Sequence, residues 1–149
     1  MPDDDLLRRI ADDLDIRRLI ARLAHLADTG ELDEYITLFT EDAAWGGGAQ
    51  PIRRGREEIL AAAQARKRDG LAGPGAGTRH VVTTSWIEID GEEATGRSVF
   101  HFYVETDSES PRLASLGTYC DRFRRTPEGW LLAERLLEGP VRSLHERDD

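Results

Sequence analysis

A chain of 149 residues fits one domain, and at that length about two-thirds of the unfolded surface is buried, so the core needs no metal or disulfide staple. A net charge of −9 offers no basic footprint for nucleic acid, and the single cysteine, Cys120, excludes an intrachain disulfide and fits a reducing compartment. The start Met1-Pro2-Asp3-Asp4-Asp5 lacks the basic and apolar regions of a signal peptide, and no apolar run approaches the roughly 20 residues that span a bilayer, which predicts a soluble cytoplasmic protein with no membrane partner.

The first periodic segment runs from about Asp5 to Ala27. Leu6, Ile10 and Leu14 recur every four residues, as do Ile16, Ile20 and Ala24, with Leu19, Leu23 and Leu26 on the same broad apolar side. Aspartates at its start suit the helix dipole, and Gly30 is a natural stop. Leu32, Tyr35, Ile36 and Phe39 predict a second, shorter helix over about 31–39. Two short strands, Ala43–Trp45 and Pro51–Arg54, flank the glycine turn at 46–48, and a third helix is expected from Arg56 to Arg68. The run from Gly70 to Gly77 cannot hold a regular element and reads as a mobile loop, a lid candidate whose plainer role is a surface connection.

Strands follow at about 79–89, 93–105, 112–125 and 130–138. Asp90-Gly91 marks a hairpin, and Thr126-Pro127-Glu128-Gly129 another turn. Helices first and a strand meander afterwards predict an α+β fold, a single domain over 1–149, with helices on one face of a mostly antiparallel sheet. Arginine clusters such as Arg53-Arg54, Arg66-Lys67-Arg68 and Arg124-Arg125 read as solvated faces, and the acidic ends read as frayed tails.

Two residues stand out for chemistry. Asp28 sits where the first helix ends, against the sense of the dipole; either Asp28 or Thr29 caps the second helix, or Asp28 serves a site. His80 lies on the strand that starts near Arg79, where strict alternation groups it with Val82, Thr84 and Trp86. It is a satisfied core histidine unless a carboxylate lies within hydrogen-bond reach; then that carboxylate fixes the ring's tautomer and makes it a general base. His25, three residues before Asp28, competes as its partner, His101 lies on the next strand, and His145 is set aside in the tail. No metal-ligand spacing, dinucleotide fingerprint, P-loop or nucleophile elbow is present, and Cys120 reads as a packing residue.

The ordered runs Leu26–Tyr35, Leu38–Trp45, Arg54–Ile59, His80–Thr84, Gly117–Phe123 and Gly129-Trp130 together resemble SnoaL-like proteins of the nuclear transport factor 2-like superfamily, over about Leu6 to Gly139. The resemblance implies a cone-shaped α+β barrel, a curved sheet wrapped around three helices, and commonly a homodimer through the outer sheet face. In that superfamily scytalone dehydratase and hexachlorocyclohexane dehydrochlorinase use an Asp–His dyad inside the cone, which falls here on Asp28 and His80. The dehydrochlorinase's cavity arginine falls on Arg135, and an asparagine of the dehydratase falls near Tyr119. The dehydrochlorinase's lysine is replaced by Leu23.

The expectation is therefore a small cofactor-independent lyase or isomerase acting on a small hydrophobic molecule. Asp28, His80, Arg135 and Tyr119 are the catalytic candidates, and Trp45, Trp86, Phe102 and His101 the substrate-binding ones. The alternatives are a non-catalytic binding or dimerisation module and the small subunit of a larger oxygenase.

Overall fold

The computed structural model describes residues 3–139. The acidic tail and His145 lie outside the described residues. Helix α1 spans Asp4–Thr29, α2 Leu32–Thr37 and α3 Gly55–Arg68, with strands β1 Phe39–Gly47 and β2 Gln50–Arg54 between the second and third helices. Strands β3 Thr78–Asp90, β4 Glu93–Val104, β5 Arg112–Thr126 and β6 Gly129–Glu138 complete the chain.

The six strands form one sheet in the order β2-β1-β6-β5-β4-β3. It is mixed: β1 pairs parallel with β6 and every other pair is antiparallel. The sheet does not close, because β2 and β3 are its two edges. It bends around the helices, with α1 packed against both β3 and β6, and α3 against β1. The cone is therefore shut on one side by α1 rather than by a strand pair.

Asp3 begins α1 by accepting a hydrogen bond from the Asp5 amide, and Gly30 ends it in the left-handed region (φ 75°), donating to the Leu26 carbonyl. The buried stripe of α1 is Asp12, Ile16, Leu19, Ile20, Leu23 and Leu26. It meets Phe39, Ala43, Ile59, Ala94, Phe123, Trp130 and Leu132 to form the core. Leu6, Ile10 and Leu14, grouped with the core by their spacing, are instead exposed. Each four-residue step overshoots the helical repeat by about 40°. The 6-10-14 row therefore winds off the face that Ile16, Leu19 and Leu23 hold against the sheet.

At that end of the cone the core is polar and paired. The Asp12 carboxylate accepts from Arg125 at 2.9 and 2.6 Å and from Trp130 Nε1 at 3.0 Å, while the Arg125 guanidinium lies 4.6 Å from the Trp130 ring. The Arg125 hydrogen bond holds the Asp12 carboxyl below its ordinary value, against an opposing push from burial.

Candidate active site

Asp28 does not cap α2. The residue before that helix is Glu31, with no side-chain cap, and the Thr29 hydroxyl donates back to the Leu26 carbonyl. Asp28 instead faces β3. Its Oδ1 lies 2.7 Å from His80 Nδ1, and its two oxygens accept from the His80 backbone amide at 3.2 and 3.1 Å. The carboxylate thus grips both the ring and the backbone of one residue, which fixes the strand against the helix end and fixes the ring's tautomer. Arg79 approaches the same carboxylate at 3.8 Å from the exposed side. Both members of the pair are nearly covered, at 12 % and 10 % side-chain exposure. With Nδ1 engaged, Nε2 is the nitrogen left for other partners.

His80 opens onto two joined chambers. The inner one, bounded by Leu23, Ala27, Tyr35, Ala63, Tyr119 and Arg135 among others, offers about 50 Å³ to the centres of water molecules. At about 10–15 Å³ per water, that is room for a few solvent molecules or the head of a substrate. The outer one, bounded by Phe100, Phe102, Val104, Ser115, Leu137 and the loop at 70–77, offers about 660 Å³. Trp45, Arg66, His80 and Tyr119 line both. The His80 ring packs on Phe102 with centroids 4.7 Å apart.

The floor is a stack of three side chains. Phe100 lies on Tyr119 at 4.4 Å and 16°, and the Arg135 guanidinium sits 3.9 Å from the Tyr119 centroid. Arg135 is held by a buried two-point ion pair, Nε to Asp121 Oδ1 at 2.8 Å and Nη2 to Asp121 Oδ2 at 2.7 Å. Burial works against the charge on Arg135, but the Asp121 carboxylate outweighs it and raises the guanidinium above its ordinary value. Burial also pushes the Tyr119 phenol up, opposed by Arg135, and pushes Tyr35 up to about 12. Gly117 makes the stack possible: a Cβ there would lie 2.7 Å from Phe100 and 2.9 Å from the Glu138 carbonyl.

Two β-bulges decide which residues reach this cavity. In β3 the pairing slips between Thr83 and Ser85, and Thr84 takes φ 41°, a rare conformation for a β-branched residue. Beyond it Ser85, Ile87 and Ile89 turn inward and Trp86 turns out, 69 % exposed. Trp86 is therefore no cavity wall, because strict alternation carried past Thr84 assigns it the wrong face. In β6 an extra residue stands between Leu132 and Glu134, so Arg135 faces inward although Trp130 and Leu132 do too.

His101 is also displaced from the site. It lies between the inward Phe100 and Phe102, so it faces outward and stacks near Tyr103, with centroids 6.1 Å apart. His25 is exposed on α1 and does not compete for Asp28. Tyr35, Arg66 and Asp121 join the site without having been singled out. Asp121 was legible only as an alternate of Tyr119, and its partner becomes visible once the register sets it opposite Arg135. Among the described residues no group of three or more His, Cys, Asp or Glu could hold a metal ion, and no helix is long and apolar enough to cross a membrane.

The open mixed sheet with helices in its concavity is the nuclear transport factor 2-like, cystatin-like architecture. The SnoaL-like domain family matches residues 8–136, and the chain belongs to that family. Among solved structures it is similar to a nuclear transport factor 2-like protein with a cystatin-like fold from Novosphingobium aromaticivorans. The two share 26 % identity and a TM-score of 0.82 over 94 % of this chain and 89 % of that one. A protein of unknown function from Mycobacterium tuberculosis is 28 % identical, with a TM-score of 0.78 over 89 % and 74 %. A candidate scytalone dehydratase from Novosphingobium aromaticivorans shares the fold at 20 % identity, with a TM-score of 0.68 over 91 % and 86 %. No functionally curated protein gives a significant match.

Proposed function

We propose that the protein is a small cofactor-independent lyase or isomerase in which His80, held by Asp28, is the general base. The observation that carries this reading is the 2.7 Å contact between Asp28 Oδ1 and His80 Nδ1 beside a cavity of substrate size. A purely structural histidine on this strand would have no need of an open chamber on its other side.

In an elimination, Nε2 takes the proton from a carbon next to a carbonyl, and the electron pair of that C–H bond moves toward the carbonyl oxygen. The C–O bond to the leaving hydroxyl then breaks, and the imidazolium returns its proton to release water. In an isomerisation the same proton goes back to a different carbon. Asp28 stabilises the imidazolium in both cases. The Tyr119 hydroxyl, kept protonated by its burial, and Arg135 Nη1, which Asp121 leaves free, are the donors for the enolate oxygen. Trp45 and Phe102 form the apolar wall for a small hydrophobic substrate. The outer sheet face, where Trp86 and Leu116 are exposed, is the surface for a homodimer, and the cytoplasm is the proposed compartment.

The test is hydrogen–deuterium exchange at carbon in 2-tetralone, an enolisable bicyclic ketone, followed by NMR in D2O. The expected result is exchange above the buffer rate that falls by about 100-fold or more in His80→Ala, the usual worth of a general base, in a protein that still melts cooperatively. No exchange by the unaltered protein, an unchanged rate in His80→Ala, or unfolding of that variant would each sink the proposal. A ligand bound without exchange would leave the cone as a binding module.

A further inference from the structure

Arg66, on the last turn of α3, is the cation that the site's own ion pairs leave over. Asp121 occupies Arg135, and Lys67 donates to the Gly30 carbonyl at 2.9 Å. Arg66 is half-buried, lines both chambers beside His80, Tyr119 and Trp45, and its guanidinium has no ion-pair or hydrogen-bond partner among the described residues. A basic residue near a helix C-terminus normally serves the dipole. Arg68, exposed at that end and outside both chambers, meets that need. A half-buried guanidinium left unpaired beside a cavity is a receptor for an anion.

The surroundings narrow the anion. The inner chamber carries no acidic side chain in its lining, and its charged groups are Arg66, Lys67 and Arg135 beside His80. Arg66 also lies close enough to Tyr35 and Tyr119 to oppose the upward push of burial on both phenols. Two hydroxyl donors and one free fork suit a singly charged, planar group better than a dianion. The carboxylates at the rim, Glu105 and Asp107, lie in or next to the β4–β5 connection, and Glu105 is paired with Arg112 at 3.2 Å. They disfavour a bound pose with the anion at the mouth, and so favour one with the head inward. The remaining wall carries Trp45, Phe100 and Phe102 among its apolar members, with Gln50, Thr78 and Ser115 as its uncharged polar ones.

We propose that Arg66 is the substrate-recognition residue and that it takes the carboxylate of a small apolar, planar acid whose body lies along Trp45, Phe100 and Phe102. This deepens the reading of the cone as a substrate site and rests on it. It adds the charge of the substrate and its polarity in the cavity, with the acid head inward beside the dyad and the ring toward the mouth.

The probes are 2-naphthoate and its neutral match 2-naphthamide, titrated by calorimetry into the full chain. The unaltered protein should bind the acid about tenfold more tightly or better, the scale of a hydrogen bond to a charged group. Arg66→Met should bind both alike, with its affinity for the amide unchanged. Arg68→Met, which makes the same change in net charge, should keep the preference. Arg66→Lys, which keeps the charge, should retain part of it and serves if the methionine variant does not fold. Equal binding of acid and amide by the unaltered protein overturns the assignment, as does a preference that survives in Arg66→Met. The failure of the two proposals is separable: a naphthoate preference with no 2-tetralone exchange sinks the lyase alone, and exchange with no preference sinks the role of Arg66 alone.

Discussion

Replacing Asp121 with alanine should be among the most damaging single changes available in this protein. The Asp121 side chain is fully covered and that of Arg135 is 6 % exposed, so the guanidinium would be left charged with only the small inner chamber to offer it water. Stripping one partner from a buried ion pair costs about 3–5 kcal/mol, most of it the penalty of the abandoned charge. Only the face of Tyr119, 3.9 Å away, would remain to compensate. With about 2.1 cal/mol/K of unfolding entropy per residue, a chain of this length loses roughly 10–16 °C of melting temperature for that cost. Differential scanning calorimetry at pH 7 reads this directly. The paired change Asp121→Leu with Arg135→Met removes both charges and should recover most of the loss, since apolar replacements of buried pairs are often neutral. A drop below about 3 °C in Asp121→Ala would refute the reasoning, because it would mean that water in the inner chamber replaces the carboxylate at Arg135 at little cost.

Two further outcomes follow from the described geometry. Thr84 holds φ 41° at the β3 bulge, so Thr84→Gly should be neutral or stabilise the fold by up to about 1 kcal/mol in urea titration, while a strand that relaxes to regular pairing would turn Ile87 and Ile89 away from the core and destabilise the fold instead. Tyr35, raised to about 12 by burial within the cone, keeps its proton in the folded state at pH values where the unfolded chain has lost it. Its contribution is therefore whole below about pH 10 and is lost as pH rises toward 12, so denaturant titrations of Tyr35→Phe should show a shallower alkaline decline than the unaltered protein.

The order of elements was legible because each carries its own period. The helical rows in α1 and α3, the Asp90-Gly91 hairpin and the turn at Pro127 place the elements they bound close to their observed ends, but β1 begins at Phe39, a residue that spacing assigns to the second helix. The parallel pairing of β1 with β6 was not legible, since it joins residues some ninety positions apart and nothing local records it. The dyad was half legible. Asp28 drew notice by opposing the dipole, but its distance from His80 depends on how α1 lies across β3. The misplaced Trp86 shows the same limit on a smaller scale: alternation is reliable up to a bulge and inverted after it, and a threonine in the left-handed region leaves no mark in composition. Arg66 was passed over because an Arg-Lys-Arg run at a helix end has an ordinary explanation, and only the cavity separates the one that turns inward from the one that does not.

The parallel seam between β1 and β6 bears on how the site comes into being. Trp45 is set against Arg135 only when β1 pairs with β6, so one wall of the cavity awaits pairing between parts of the chain far apart in sequence. Closing so long a loop costs entropy that no nearby contact offsets beforehand, and folds dominated by such pairings form in milliseconds to seconds. The β3–β4–β5 meander, joined by short connections, can assemble first and would carry His80, Phe102 and Tyr119 in register before Trp45 arrives. In refolding, ligand binding should therefore lag behind the gain of β-structure, with Trp45 fluorescence marking the last step.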